Sequence, residues 1–263
     1  MSFRISYFLF LIVLLQSCAV ESVYLSNSTN TPNLTNKFDG NANALLGLNH
    51  AELQGAFSPI KNLGIFFNGY KAIQNSSQLM DFALGYYHQI SKTNIYYDIY
   101  AGVGFGQRVY LGSPWDNLNK TMYSDLMNIE NIHTVFSKQF LQASVYYFWA
   151  EKFEVSITGQ VANLNFNSMQ IDLENYYNYS PSTTSVLFNQ TFKNLDLFNF
   201  TTAATIKYKF AEHFKIFSQL MTNTTINPPY QGNYNNIYFN ARSFCLNLGV
   251  QFIICRKTSG RNT

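Results

Sequence analysis

Four sets of residues in this 263-residue chain have types and spacings that could do chemistry. Cys18 follows Leu15-Gln16-Ser17, which closes a mostly apolar run that begins at Ile5 with Arg4 before it. A thiol there is a nucleophile able to carry a covalent modification. Gly102-x-Gly104-x-Gly106 has the spacing of a phosphate-cradling loop, but it lies within a strand pattern and not between a strand and a helix. Its glycines share one face, where they leave room for bulky neighbours such as Tyr96, Tyr100 or Phe217. His50, His88, His133 and His213 are the histidines, too few and too scattered for a metal cluster, so no metal and no cofactor is expected. Glu52, Asp98, Glu154, Lys207, Lys209 and Lys215 fall on the polar side of alternating segments. In a narrow enclosed interior such charges need partners, and a salt-bridge and hydrogen-bond plug is the simplest account.

The elements that would position these groups are strands. From Ile95 to Phe105 the residues Ile95, Tyr97, Ile99, Ala101, Val103 and Phe105 share one face, and Tyr96, Asp98, Tyr100, Gly102 and Gly104 the other. Phe198–Phe210, Phe244–Ile254, Phe153–Val161 and Leu141–Trp149 repeat the period of two, with almost no charge on the apolar face. The pattern predicts ten strands, near 38–46, 50–58, 62–71, 79–90, 94–108, 132–149, 152–166, 198–210, 213–223 and 237–254. Eight strands plus an irregular N-terminal hairpin is the other count the first segments permit. Connections such as Ser91-Lys92-Thr93, Ala150-Glu151 and Ala211-Glu212 are short, whereas Val109–Asn131, Asn167–Leu197 and Thr224–Asn236 are long. Short turns on one rim and long loops on the other is the layout of a membrane-spanning barrel. Tyr86, Tyr87, Tyr96, Tyr97, Tyr147, Trp149, Phe153, Tyr208, Phe210 and Phe214 crowd the short-turn ends, where an aromatic girdle would lie.

Composition narrows the choice. Charged residues make up 12% of the chain and aromatics 17%, yet mean hydropathy is −0.10, because Asn, Ser, Thr and Tyr stand where Lys and Glu usually do. A soluble barrel or sandwich enclosing an apolar ligand would need a charged exterior, and the second face of these strands does not supply one. Basic residues gather only in the tail, at Arg256, Lys257 and Arg261, so nucleic acid is not an expected partner. Cys245 and Cys255, ten residues apart on one expected strand, would be roughly 33 Å apart and unable to pair.

Leu15 at −3 and Ser17 at −1 to Cys18 resemble the lipobox of bacterial lipoproteins, from which Gln16 departs modestly at −2. That resemblance implies removal of residues 1–17 as a signal peptide and acylation of Cys18 with chains such as palmitate. An ordinary signal cut nearby, with Cys18 incidental, is the plainer alternative. The hairpin Leu53–Ile65, Gly102-Val103-Gly104-Phe105-Gly106 and the closing Leu248-Gly249-Val250-Gln251-Phe252 resemble bacterial outer-membrane β-barrel proteins, specifically small lipoproteins with a single barrel domain. The family implies an outer-membrane address and no particular activity.

The expected organisation is therefore a signal peptide over 1–17, a lipidated Cys18 with a flexible Ser/Thr/Asn-rich tether over 18–36, an all-β up-and-down barrel over 37–255 and a basic tail over 256–263. The expected function is a monomeric, lipid-anchored outer-membrane barrel with a structural or surface-contact role and no catalysis. Trp115, Tyr176, Tyr177 and Tyr179 in the long loops are the candidates for contact with surface carbohydrate or protein. The rivals are the soluble ligand-binding barrel and an integral outer-membrane hydrolase, which would need a cluster of His with Asp or Ser at the rim.

Overall fold

The computed structural model describes residue 24 and residues 27–47, 50–73, 76–111, 128–149, 152–177, 184–225 and 243–254. Eleven strands follow one another: β1 (Gly40–Leu46), β2 (His50–Ile60), β3 (Leu63–Ala72), β4 (Gln78–Gln89), β5 (Ile95–Leu111), β6 (Asn128–Trp149), β7 (Phe153–Tyr177), β8 (Thr184–Phe192), β9 (Leu195–Ala211), β10 (Phe214–Thr225) and β11 (Ser243–Ile253). Each pairs antiparallel with its neighbours, and β1 pairs with β11 from Asn41↔Ile253 to Leu46↔Leu248, so the sheet closes on itself. β8 and β9 fill one position in the ring. Met169↔Phe192 and Phe166↔Leu195 continue the same register along β7, and only Lys193-Asn194, with Asn194 in the left-handed region at φ 54°, interrupts the strand. The result is an all-β, up-and-down barrel of ten positions, the larger of the two counts the pattern permits.

Tight turns join the strands on one rim. Ile60 pairs with Leu63 across Lys61-Asn62, where Asn62 sits at φ 67°, a conformation Asn tolerates well. Lys92 makes a comparable turn at φ 59° between β4 and β5. The opposite rim carries the longer connections, and there the strands differ from expectation. Most of 167–197, expected as a long loop, is the upper half of β7 together with β8; above the apolar zone the inward residues turn apolar, as at Leu164, Phe166 and Met169, and the period slips at the irregularity opposite Val135 and Phe136. Residues 112–127 and 226–242 lie outside the described residues, and with them the expected start of the last strand at 237.

The two faces settle the barrel's polarity. On β11, Leu248 and Val250 are 45% and 44% exposed, while Asn247 and Gln251 are 0% and 2%. The same split runs around the ring: Ile65, Phe82, Ile99, Val103, Leu141, Val145, Ile157, Ile206 and Ile216 face outward, and Gln54, Asn68, Gln142, Thr158, Thr205 and Gln219 are buried within. A ligand-binding soluble barrel requires the reverse arrangement, and the structure contradicts it. At the short-turn rim aromatic rings form a near-continuous outer belt. Trp149 meets Phe153, which lies 4.9 Å from Tyr208, and Phe214 lies 5.2 Å from Phe252. Two expected members of that belt point the other way. Tyr87 is buried and bonds the Ser58 hydroxyl at 2.7 Å, and Tyr96 stacks on Tyr146 inside, because both occupy the inward phase of their strands.

Candidate functional site: a lumen filled by the chain's own N-terminal segment

Residues 27–36, read from composition as part of a flexible tether, instead run through the barrel. Asn27, Ser28, Thr29, Asn30, Thr31 and Leu34 are buried. Amides and hydroxyls in a stretch without periodicity suit a hydrated linker, but they suit a polar lumen equally well, and here the lumen has them. The direction of travel is set by the partners. Tyr24 packs edge-on against Phe136 at 5.3 Å, in a cluster with Tyr70, Leu79, Leu164 and Met169 near the long-loop mouth. Leu34 sits in a second cluster with Phe66, Tyr87, Tyr100 and Phe140 toward the short turns. Thr35 and Asn36 then bond Asp39 at the short-turn mouth, and β1 begins.

The wall holds this segment by its backbone. The carbonyl of Ser28 accepts from Gln54, that of Thr29 from Gln219, that of Asn30 from Gln142, that of Thr31 from Lys207, that of Pro32 from Asn41 and that of Leu34 from Tyr146. The six donors come from five strands, spaced around the ring, and their distances run from 2.6 to 3.2 Å. Side chains add to this. Ser28 donates its amide and its hydroxyl to Glu52 at 3.0 Å and accepts from Asn247 at 2.6 Å, Asn27 donates to Asp81 at 2.8 Å, and Asn33 donates to Glu154. An extended backbone away from water needs all of this, since each buried carbonyl left unpaired costs about 1–3 kcal/mol.

The charges complete the filling. Lys138 pairs with Asp81 at 2.9 Å, and Glu154 is shared by Lys207 at 3.2 Å and Lys215 at 2.6 Å. Glu52, Glu154, Lys207 and Lys215 are therefore buried in the lumen as their strand phase predicts. Asp98 is buried there too, with no ion pair among the described residues. Lys209 is only half buried, beside the bulge between Phe214 and Lys215 at the short-turn rim, and takes no part in this network among the described residues. Asp81 and Lys138 escaped sequence reasoning, although Lys138 shares a face with Gln142 and Ser144 and could have been found by extending that alternation.

The glycine triplet serves packing, with neighbours other than those expected. A Cβ at Gly102 would strike Phe140, one at Gly104 would strike the Asp81 carboxylate, and one at Gly106 would lie 2.6 Å from Phe136. The triplet thus makes space for an inner aromatic pair and for the Lys138–Asp81 bridge. Phe217 lies over Gly249 instead, and Tyr100 over Gly64 and Gly85. Beside the segment at the short-turn mouth, between Pro32, Leu34, Phe148 and Gln251, about 30 Å³ remains, room for a water molecule.

The histidines form no reactive constellation among the described residues. His50 stacks on Tyr70 and lies 3.3 Å from the Glu52 Oε1 to which the Ser28 hydroxyl also donates. A serine hydrolase needs the imidazole between hydroxyl and acid, and here the acid is in the middle. His88 bonds Tyr86 at the exposed short-turn rim, and His133 lies exposed on β6. No group of three His, Cys, Asp or Glu could hold a metal among the described residues. Cys18, Trp115, Tyr179 and the 256–263 tail lie outside the described residues, as do the side chains of Tyr176 and Tyr177 at the end of β7.

No family model matches the chain, and no curated protein matches it. Solved structures similar to it are membrane barrels. The outer membrane protease OmpT from Escherichia coli is 11% identical, with a TM-score of 0.44, covering 87% of this chain and 99% of its own. A KdgM porin is 8% identical at 0.37, covering 82% and 99%, and the beta domain of the Bordetella autotransporter BrkA is 7% identical at 0.31, covering 83% and 100%. Likeness at this level concerns the shape of the barrel and transfers no role.

Proposed function

We propose that this chain is a bacterial outer-membrane β-barrel, anchored additionally by lipid at Cys18, whose lumen is closed by its own N-terminal segment and whose role is structural or one of surface contact. The observation that carries the reading is the reversal of faces. A continuous belt of Leu, Ile, Val and Phe turned outward would aggregate in water and is what hydrocarbon requires, and the belt is bordered by aromatics where an interface would be. The filled lumen argues against a diffusion channel, and the lack of a base–nucleophile pair among the described residues against catalysis. Contact would then fall to the long-loop side, where Trp115, Tyr176, Tyr177 and Tyr179 offer rings and hydroxyls to carbohydrate or protein.

Fractionation with outer membrane and a mobility difference between heated and unheated samples on mild detergent gels are the expected results. Recovery of the Cys18→Ser protein as a soluble monomer without detergent would overturn the reading. In planar bilayers the intact protein is expected to show no steady conductance, and a steady open level would reject the closed lumen. Replacing His50 and His133 by alanine is expected to leave the phenotype unchanged.

A further inference from the structure

We infer that the chain upstream of Tyr24 leaves the barrel through the long-loop mouth, which places Cys18 on the same side as the long loops. Resting on the outer-membrane reading above, this puts an acylated Cys18 in the outward-facing leaflet, with the rest of the mature chain threaded back through its own barrel. The lipid partner is then that of the cell surface and not that of the periplasmic leaflet.

The direction of the segment carries the inference. Its C-terminal end is fixed at the short turns by Thr35 and Asn36 on Asp39 and by the Phe38 amide on the Ser58 carbonyl at 2.7 Å. Its other end has climbed past Asp81 and Gln219 to the level of Glu52, Tyr70 and Leu79, which are partners across β2, β3 and β4. Tyr70 is two residues from the top of β3 and Leu79 one residue from the top of β4, so on that side the mouth lies only about 3–7 Å above Tyr24. Six peptide units separate Cys18 from Tyr24, a reach of at most about 20 Å. That clears the low wall formed by β1 to β4 and brings the thiol to the rim, beside the outer surface where acyl chains could enter hydrocarbon.

Return to the short turns is closed on two counts. The path from Asn27 to Leu34 is seven residue steps, up to about 23 Å, more than the reach available. The lumen is also occupied along that path, and wall donors from five strands face the backbone they hold. A second strand of chain has no room beside the first.

Accessibility of single thiols to a membrane-impermeant maleimide tests this in whole cells carrying the full-length protein. In a background with Cys245→Ser and Cys255→Ser, three sites are compared: Ser22→Cys above the segment, Lys92→Cys in a short turn, and Asn117→Cys between β5 and β6. Labelling of Ser22→Cys under the same condition as Asn117→Cys, with Lys92→Cys labelled under the other, is the expected result. Labelling of Ser22→Cys together with Lys92→Cys overturns the inference. An epitope inserted between Ser22 and Val23, read with antibody before and after permeabilisation, decides in the same way should the thiol at 22 stay unreactive. Failure of the underlying reading looks different. A barrel inserted upside down exchanges Lys92→Cys and Asn117→Cys, and a chain without the anchor takes up no radiolabelled palmitate that Cys18→Ser removes.

Discussion

The two halves of the barrel wall are built to different heights. β1 to β4 run for 7, 11, 10 and 12 residues, whereas β5, β6, β7 and β9 run for 17, 22, 25 and 17. A tilted strand needs about 9–11 residues to cross hydrocarbon, so the low half is little more than a crossing and the tall half continues well beyond one. The outward face marks the transition. On β7 it reads Phe153, Val155, Ile157, Gly159 and Val161, then Asn163 and Asn165, and on β6 it reads Trp149, Tyr147, Val145, Ala143 and Leu141, then Gln139. The apolar band thus ends at the same level on adjacent strands, since Leu141 pairs with Val161 and Gln139 with Asn163. Below that level lipid dictates the sequence, and above it water does.

The largest effect on this contrast should come from removing what the two halves share. Deleting residues 27–34 removes the backbone carbonyls to which Asn41, Gln54, Gln142, Tyr146, Lys207 and Gln219 donate, and the Ser28 amide and hydroxyl that donate to Glu52. Appearance of steady conductance in planar bilayers, together with a lower unfolding temperature in detergent, is the expected outcome. Next in size is Lys138→Ala, which abandons the Asp81 carboxylate in the interior between the low half and the tall one. A loss of about 3–5 kcal/mol should appear in the urea unfolding of the barrel in lipid. Val145→Arg, at the middle of the apolar band, should cost about 2–4 kcal/mol in the same titration, whereas Gln139→Arg on the same strand above the band should cost about 0–1. Equal penalties at the two positions would erase the boundary between lipid and water. Joining Met169 to Phe192 by a short turn, which removes the top of β7 and most of β8, should have the smallest effect. Those residues are already partners, so the heat-dependent gel shift should persist, while any adhesion conferred by the tall half is lost.

What could be read in the sequence follows the same division. Where lipid and lumen oppose each other across a strand, as at Leu248 and Asn247 or Ile206 and Lys207, the alternation names both the strand and its facing. The short turns and the count of ten positions follow from it. Where the opposition reverses or disappears, the reading fails. In the upper part of β7 the opposition is reversed, with Leu164, Phe166 and Met169 turned inward and Asn163 and Asn165 outward, and the period slips at the irregularity opposite Val135 and Phe136, so the stretch from Asn167 reads as loop. The N-terminal segment is polar because its surroundings are polar protein, and composition does not distinguish those surroundings from water. Tyr87 and Tyr96 show a smaller version of the problem, since aromatics at a rim were assigned by level when their strand phase turned them inward.

The pairing of β1 with β11 has a consequence for the order of assembly. Because the first stave meets the last, the cylinder cannot shut until β11 has been delivered, by which time the segment ahead of β1 has long been made. The barrel is assembled around a guest that it carries on its own chain, as a cooper closes a cask around a spindle. Removing that spindle sideways after closure would require breaking the seam from Asn41↔Ile253 to Leu46↔Leu248, and drawing it out along the axis would require breaking its hydrogen bonds to the wall.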